Sequence, residues 1–131
     1  MGKRPLVLMV DDDADILALL GDLLRLEGFS VVGAEGGRRA FLLLRQWRPD
    51  LVLLDLVMND IDGLQTLRLL RRCTGVPIIV VTACCEAPVL QQALELGADD
   101  FVAKPFGLSE LLERIRLHLE SGGGLPADKA T

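Results

Sequence analysis

The sequence predicts an α/β domain built on a doubly wound sheet of five parallel strands. Three observations predict it. Short aliphatic runs alternate five times with longer stretches of helical periodicity. The first, third and fourth runs (PLVLMV, DLVLLD, VPIIVVT) are nearly continuous aliphatics, as strands covered on both faces read. Half of the 131 residues are hydrophobic and a quarter are charged, enough to bury the core of one domain.

The elements follow in order. The first strand, 5–10, runs into Asp11, Asp12 and Asp13. Like charges this close repel one another, so a helix start or a bound cation is needed to compensate them. The first helix, about 14–27, carries Leu17, Leu20 and Leu24 at helical spacing and is followed by Gly28. The second strand, 29–34, leads to a helix over 37–47 with Ala40, Leu43, Leu44 and Trp47, the last closing the core. Pro49 precedes the third strand, 50–55, where a missing donor is tolerated. A helix over 63–72 follows, with Leu64, Leu67 and Leu70. Pro77 opens the fourth strand, 76–82, and the fourth helix, about 87–96, ends before Gly97. The fifth strand, 100–103, leads into a helix over 108–120, where His118 reads as solvated. From Ser121 the composition changes to SGGGLPADKAT, a flexible linker or tail over 121–131.

Bulk properties exclude several classes. The net charge of −5 argues against direct nucleic-acid binding by this domain. No apolar run has the length of a membrane span, and the short stretch before Asp11 ends in acid, unlike a signal peptide. Cys73, Cys84 and Cys85 are odd in number and lack metal-ligand spacing, as expected in a reducing cytoplasm.

The polar residues fall at strand ends. Asp11 and Asp12 end the first strand, Asp55 the third and Thr82 the fourth, while Lys104 follows the fifth. Parallel strands all point one way, so these side chains gather on the carboxyl edge of the sheet, where open α/β sheets bind ligands. Three carboxylates suit a hard cation such as Mg²⁺. A carboxylate also attacks phosphorus to give an aspartyl-phosphate. An ammonium and a hydroxyl can neutralise and hold the transferred group.

The pieces LVLMVDDD, PDLVLLDLVMNDIDGL, VPIIVVTA and GADDFVAKPF, in this order and spacing, resemble the receiver domain of bacterial two-component response regulators. The resemblance covers residues 5 to about 120 and is nearest the subfamily with winged-helix DNA-binding output domains. It implies a flavodoxin-like (βα)5 fold with strand order 2-1-3-4-5 and a receiver domain over 1–120. It implies Mg²⁺ held by Asp11, Asp12, Asp55 and the Val57 carbonyl, with Asp13 capping the first helix. Asp55 would be the phosphoacceptor, and Thr82 and Lys104 would bind the phosphoryl group. Thr82 and Phe101 would be the switch residues, and the Lys104–Pro105 bond would be cis. The chain departs from the family at Asn59, where proline is usual, and at Phe101, where many members have tyrosine.

The resemblance also implies partners. A histidine kinase or phosphotransfer protein would dock along the first helix on Asp15, Ile16, Leu19 and Asp22. A homodimer would form through the fourth helix, fifth strand and fifth helix, using Asp99, Asp100, Glu110 and Arg114. The fourth helix, APVLQQALEL, lacks the basic residues that the subfamily supplies for such pairs. The domain would be a signalling phosphoacceptor rather than an enzyme, acting in the cytoplasm and controlling transcription. Two alternatives stand beside it. One is a haloacid-dehalogenase-like phosphohydrolase starting from Asp11 and Asp13, although Asp99 and Asp100 precede Lys104 and the chain has no room for a cap domain. The other is a receiver-like binding module that works without phosphorylation.

Overall fold

A computed structural model describes residues 4–58, 61–84 and 86–123, the last three as backbone. Five strands, β1 (Leu6–Val10), β2 (Ser30–Ala34), β3 (Leu51–Leu54), β4 (Ile78–Thr82) and β5 (Asp100–Ala103), form one parallel sheet. Their order is β2-β1-β3-β4-β5, as the resemblance implied. They alternate with α1 (Ala14–Leu26), α2 (Gly37–Leu43), α3 (Gly63–Cys73), α4 (Ala87–Leu96) and α5 (Leu108–Gly123).

Successive strand residues point to opposite faces, so the aliphatic runs feed two cores. Leu8, Val10, Val52, Leu54, Ile78 and Val80 meet Leu43 of α2, Leu67 and Leu70 of α3, and Ala93 of α4. Val7, Met9, Leu51, Leu53, Ile79 and Val81 meet Leu20 and Leu24 of α1, and Leu111 and Ile115 of α5. Thus α1 and α5 cover one face and α2, α3 and α4 the other. This two-sided burial is why the central strands contain no polar alternation.

Local signals set the ends. The Asp13 carboxylate caps α1, accepting from the N–H groups of Asp15 (3.0 Å) and Ile16 (3.3 Å). Asp62 caps α3 through Leu64 N–H. Gly97 ends α4 at φ 115°, a left-handed conformation that glycine adopts without Cβ strain.

Three sequence expectations are corrected. The second helix stops at Leu43 rather than 47, because the next turn tightens: Arg45 N–H donates to the Leu42 carbonyl and Gln46 N–H to that of Leu43. Trp47, whose N–H still donates to the Leu43 carbonyl at 2.8 Å, is 48% exposed instead of closing the core. The fifth helix continues to Gly123, three residues beyond its expected end, so Ser121–Gly123 are helix rather than linker. The rest of the expected tail, 124–131, lies outside the described residues, as do Asn59 and Cys85.

Candidate functional site

The sheet ladder carries the site residues one step past the strands. Asp11 N–H donates to the Ala34 carbonyl, Asp55 N–H to that of Val10 and Lys104 N–H to that of Thr82. Three backbones at the carboxyl edge are thus fixed by sheet hydrogen bonds, and their side chains converge. Lys104 Nζ lies 2.6 Å from Asp11 Oδ2 and 3.0 Å from Asp55 Oδ2. The other oxygens are engaged locally: Asp11 Oδ1 accepts from Asp13 N–H and Asp55 Oδ1 from Val57 N–H, each at 3.0 Å.

Both carboxylates are nearly buried, Asp11 at 7% and Asp55 at 8% exposure. Burial alone would lower the pKa of the Lys104 ammonium. Its hydrogen bonds to Asp11 and Asp55, with their negative charge, outweigh that and raise it above the usual lysine range. Below Lys104 the apolar floor, with Met9, Leu20, Leu53 and Phe106, leaves a cavity of about 20 Å³. That is room for about one water, so a transferred group must arrive from outside.

The remaining expected residues sit as follows. Asp12 is partly buried beside Asp11. Thr82 is buried, and its hydroxyl accepts from Cys84 N–H at 3.2 Å. Val57 is exposed in the loop after β3. Phe101 is partly buried against the core beneath α3 and α4. The Lys104–Pro105 bond is cis. Among the described residues no three acidic, His or Cys side chains form a cation-binding group. The two carboxylates that converge do so on Lys104. The donor chemistry still fits a hard divalent cation, because Asp11, Asp12 and Asp55 offer only oxygen and three carboxylates against one ammonium leave a formal −2.

The expected partner surfaces are distributed unevenly. On α1, Asp15, Leu19 and Asp22 are exposed, while Ile16 is partly buried. On the dimer face, three of the four expected residues, Asp99, Asp100 and Arg114, make ion pairs within the chain. Asp100 receives Arg114 Nη1 on both oxygens at 2.8 Å, and Asp99 faces Arg71 at 3.2 Å. Glu110 is exposed. His118 is not solvated as expected, for its Nε2 lies 2.9 Å from Asp100 Oδ2. Arg114 and His118 are four residues apart, which places both on one face of α5 and was the legible signal. Arg71 went unnoticed: it donates to the carbonyls of Gly97, Thr74 and Val76 as well as to Asp99. Its position as a basic residue in the last turn of α3 is a C-capping signal.

The profile of the response regulator receiver domain matches residues 7–116. The chain belongs to the response regulator receiver domain family. It is 41% identical over 125 residues to the DNA-binding response regulator MtrA of Mycobacterium tuberculosis (strain H37Rv), covering 95% of this chain and 55% of that protein. It is 42% identical over 129 residues to the probable transcriptional regulator ycf27 of Pyropia yezoensis, covering 98% and 51%. The receiver domain thus spans about half the length of the curated relatives it matches. Among solved structures, a CheY-like receiver domain protein from Methanospirillum hungatei superposes with a TM-score of 0.89 at 27% identity, over 92% of this chain and 98% of the other. The BeF3-activated receiver domain of Klebsiella pneumoniae RstA gives 0.83 at 33%, over 87% and 97%. The phosphohydrolase alternative loses its support. In addition, the second aspartate that it needs, Asp13, is spent on capping α1.

Proposed function

We propose that Asp55 accepts a phosphoryl group from the phosphohistidine of a histidine kinase or phosphotransfer protein, and that the modified receiver then controls an output, transcription. The observation that carries this reading is the Lys104 ammonium held between two nearly buried carboxylates at the carboxyl edge of the sheet. An Asp55 oxygen forms the new P–O bond as the P–N bond to imidazole breaks, and the imidazole keeps the electron pair. Lys104 leaves Asp55 for a phosphoryl oxygen while remaining paired with Asp11. The Thr82 hydroxyl, which can accept and donate at once, donates to another oxygen. Thr82 then moves toward the phosphoryl group, and Phe101 fills the space beneath it. Phosphorylation shifts the balance of two existing conformations.

Asp11, Asp12, Asp55 and the Val57 carbonyl would hold Mg²⁺. The ion, when bound, supplies neutralisation of the charge on the transferred group. In this reading the domain is a phosphoacceptor and not a turnover enzyme, and it acts in the cytoplasm. No described helix is long and apolar enough to cross a membrane. The donor protein docks on Asp15, Ile16, Leu19 and Asp22. Changing Ile16 and Leu19 to polar residues slows transfer from a kinase and spares a small phosphodonor; equal loss with both donors would contradict the docking site. A homodimer through α4, β5 and α5 would have to exchange the in-chain pairs of Asp99, Asp100 and Arg114 for intermolecular ones. The reading as a whole is tested by Mg²⁺-dependent phosphorylation that Asp55→Asn abolishes.

A further inference from the structure

Gly63, the first residue of α3, lies directly against backbone. A Cβ built on it would be 2.1 Å from the Leu56 carbonyl oxygen, 2.2 Å from Leu56 Cα and 2.4 Å from the Leu56 carbonyl carbon. Ordinary contact begins at 3.4 Å, and backbone atoms cannot swing aside as the end of a side chain can. Helix formation does not ask for glycine here, since alanine favours a helix over it. The close approach does. The atoms it touches belong to the site. The carbonyl carbon and oxygen of Leu56 share one planar peptide with the N–H of Val57. That N–H donates to Asp55 Oδ1 at 3.0 Å, while Lys104 Nζ lies 3.0 Å from Asp55 Oδ2. One rigid peptide thus rests against Gly63 and carries the donor that orients the Asp55 carboxylate.

The parts on either side of this peptide are firmly held. Asp55 N–H donates to the Val10 carbonyl in the sheet ladder. Helix α3 is held by Asp62, which accepts from Leu64 N–H at 2.9 Å, and by Leu67 and Leu70, which are fully buried. Val57, by contrast, is 58% exposed. A side chain at position 63 would therefore displace the Leu56–Val57 peptide before it displaced strand or helix. A shift of about 1 Å takes a 3.0 Å hydrogen bond out of range.

We propose that Gly63 is a positioning residue for phosphoryl transfer to Asp55. Its bare Cα lets the Leu56–Val57 peptide stand where the Val57 N–H fixes Asp55 Oδ1. That leaves Oδ2 to form the bond to phosphorus, as the bond from phosphorus to the donor breaks, the donor keeps its electron pair and Lys104 moves to a phosphoryl oxygen. The role rests on Asp55 being the phosphoacceptor; the contact behind it does not.

The test uses the full chain as wild type, Gly63→Ala, Val57→Pro, Gly75→Ala and Asp55→Ala, with circular dichroism to verify folding. Two quantities are read: the rate of adduct formation from a small acyl phosphate with Mg²⁺, by intact mass, and the Val57 amide proton resonance in the metal-free protein. In Gly63→Ala the rate should fall roughly ten- to a hundredfold, and the Val57 resonance should move upfield as it does in Asp55→Ala, where the charged acceptor is gone. Val57→Pro removes the same N–H with Gly63 in place and should slow transfer similarly, which keeps the role testable should Gly63→Ala fail to fold. Gly75→Ala, whose Cβ meets nothing within 4 Å, should match wild type. A Gly63→Ala protein with wild-type rate and an unmoved Val57 resonance would overturn the positioning role alone. So would Val57→Pro at the wild-type rate. A wild type that takes no adduct, or an adduct that persists in Asp55→Ala, would overturn the reading of Asp55 and the role of Gly63 with it.

Discussion

At the scale of single residues, the site is a charge balance around Lys104. Two carboxylates of under 10% exposure share one ammonium, so the ammonium is worth more to the fold than a surface lysine. Lys104→Met should lower stability by about 2–3 kcal/mol at neutral pH, measured by urea unfolding, since it leaves carboxylates without their partner. The pH dependence has a definite sign. The folded-state pKa is raised, so the contribution is complete below the unfolded lysine value of 10.5 and vanishes as pH rises through the folded one. Wild type and Lys104→Met should therefore converge in alkali. Asp100 behaves in the opposite sense. Burial would raise its pKa, but hydrogen bonds from His118, Arg114 and its neighbour's N–H bring it below the usual 3.8. Its stabilisation is present above that value and is lost as pH falls through the folded pKa, so Asp100→Asn should flatten the acid limb of the stability profile below about pH 4. The strand-end positions of Asp11, Asp55, Thr82 and Lys104 were legible in the sequence because parallel strands share a direction. That Arg114 and His118 share one face of α5 was legible from their spacing, but that this face meets Asp100 was not, because only packing sets the angle at which α5 crosses β5.

At the scale of elements, α3, α4 and β5 are tied together by one side chain. Arg71 reaches the carbonyls of Thr74, Val76 and Gly97 and the carboxylate of Asp99, which also accepts Ile78 N–H at 2.8 Å. Arg71→Met should cost roughly 2–4 kcal/mol, since several carbonyls lose a charged donor at once. Gly97 belongs to the same clamp: a Cβ there would lie 2.3 Å from Arg71 Cδ, at a φ that other residues avoid. A Gly97→Ala variant should therefore destabilise by about 1–3 kcal/mol in thermal unfolding, through strain and displacement of Arg71 together. At this scale periodicity served well. The bounds of α4 agree with expectation at both ends, and those of α1 and α3 to within one residue. It failed where apolar residues continue beyond the helix. Leu44 and Trp47 extend the helical pattern of α2, but the backbone has already tightened at Arg45 ahead of Pro49. The end of α5 erred the other way, since Gly122 and Gly123 read as linker although the backbone stays helical.

At the scale of the whole molecule, the fold brings together residues 93 positions apart in sequence, Asp11 and Lys104, by laying β1 and β5 parallel in one sheet. The four matching sequence pieces each carry one corner of that site, so the family could be recognised before the structure was known. The central claim is that the carboxyl edge of the sheet serves to place a phosphoryl group on Asp55. Intact-mass spectrometry after incubation with Mg²⁺ and a small acyl-phosphate donor tests it most directly, on wild type and Asp55→Asn. The predicted result is a single labile phosphoryl adduct on the wild type, absent without Mg²⁺ and absent in the variant. No adduct on the wild type, or an adduct that persists in Asp55→Asn, would contradict the account.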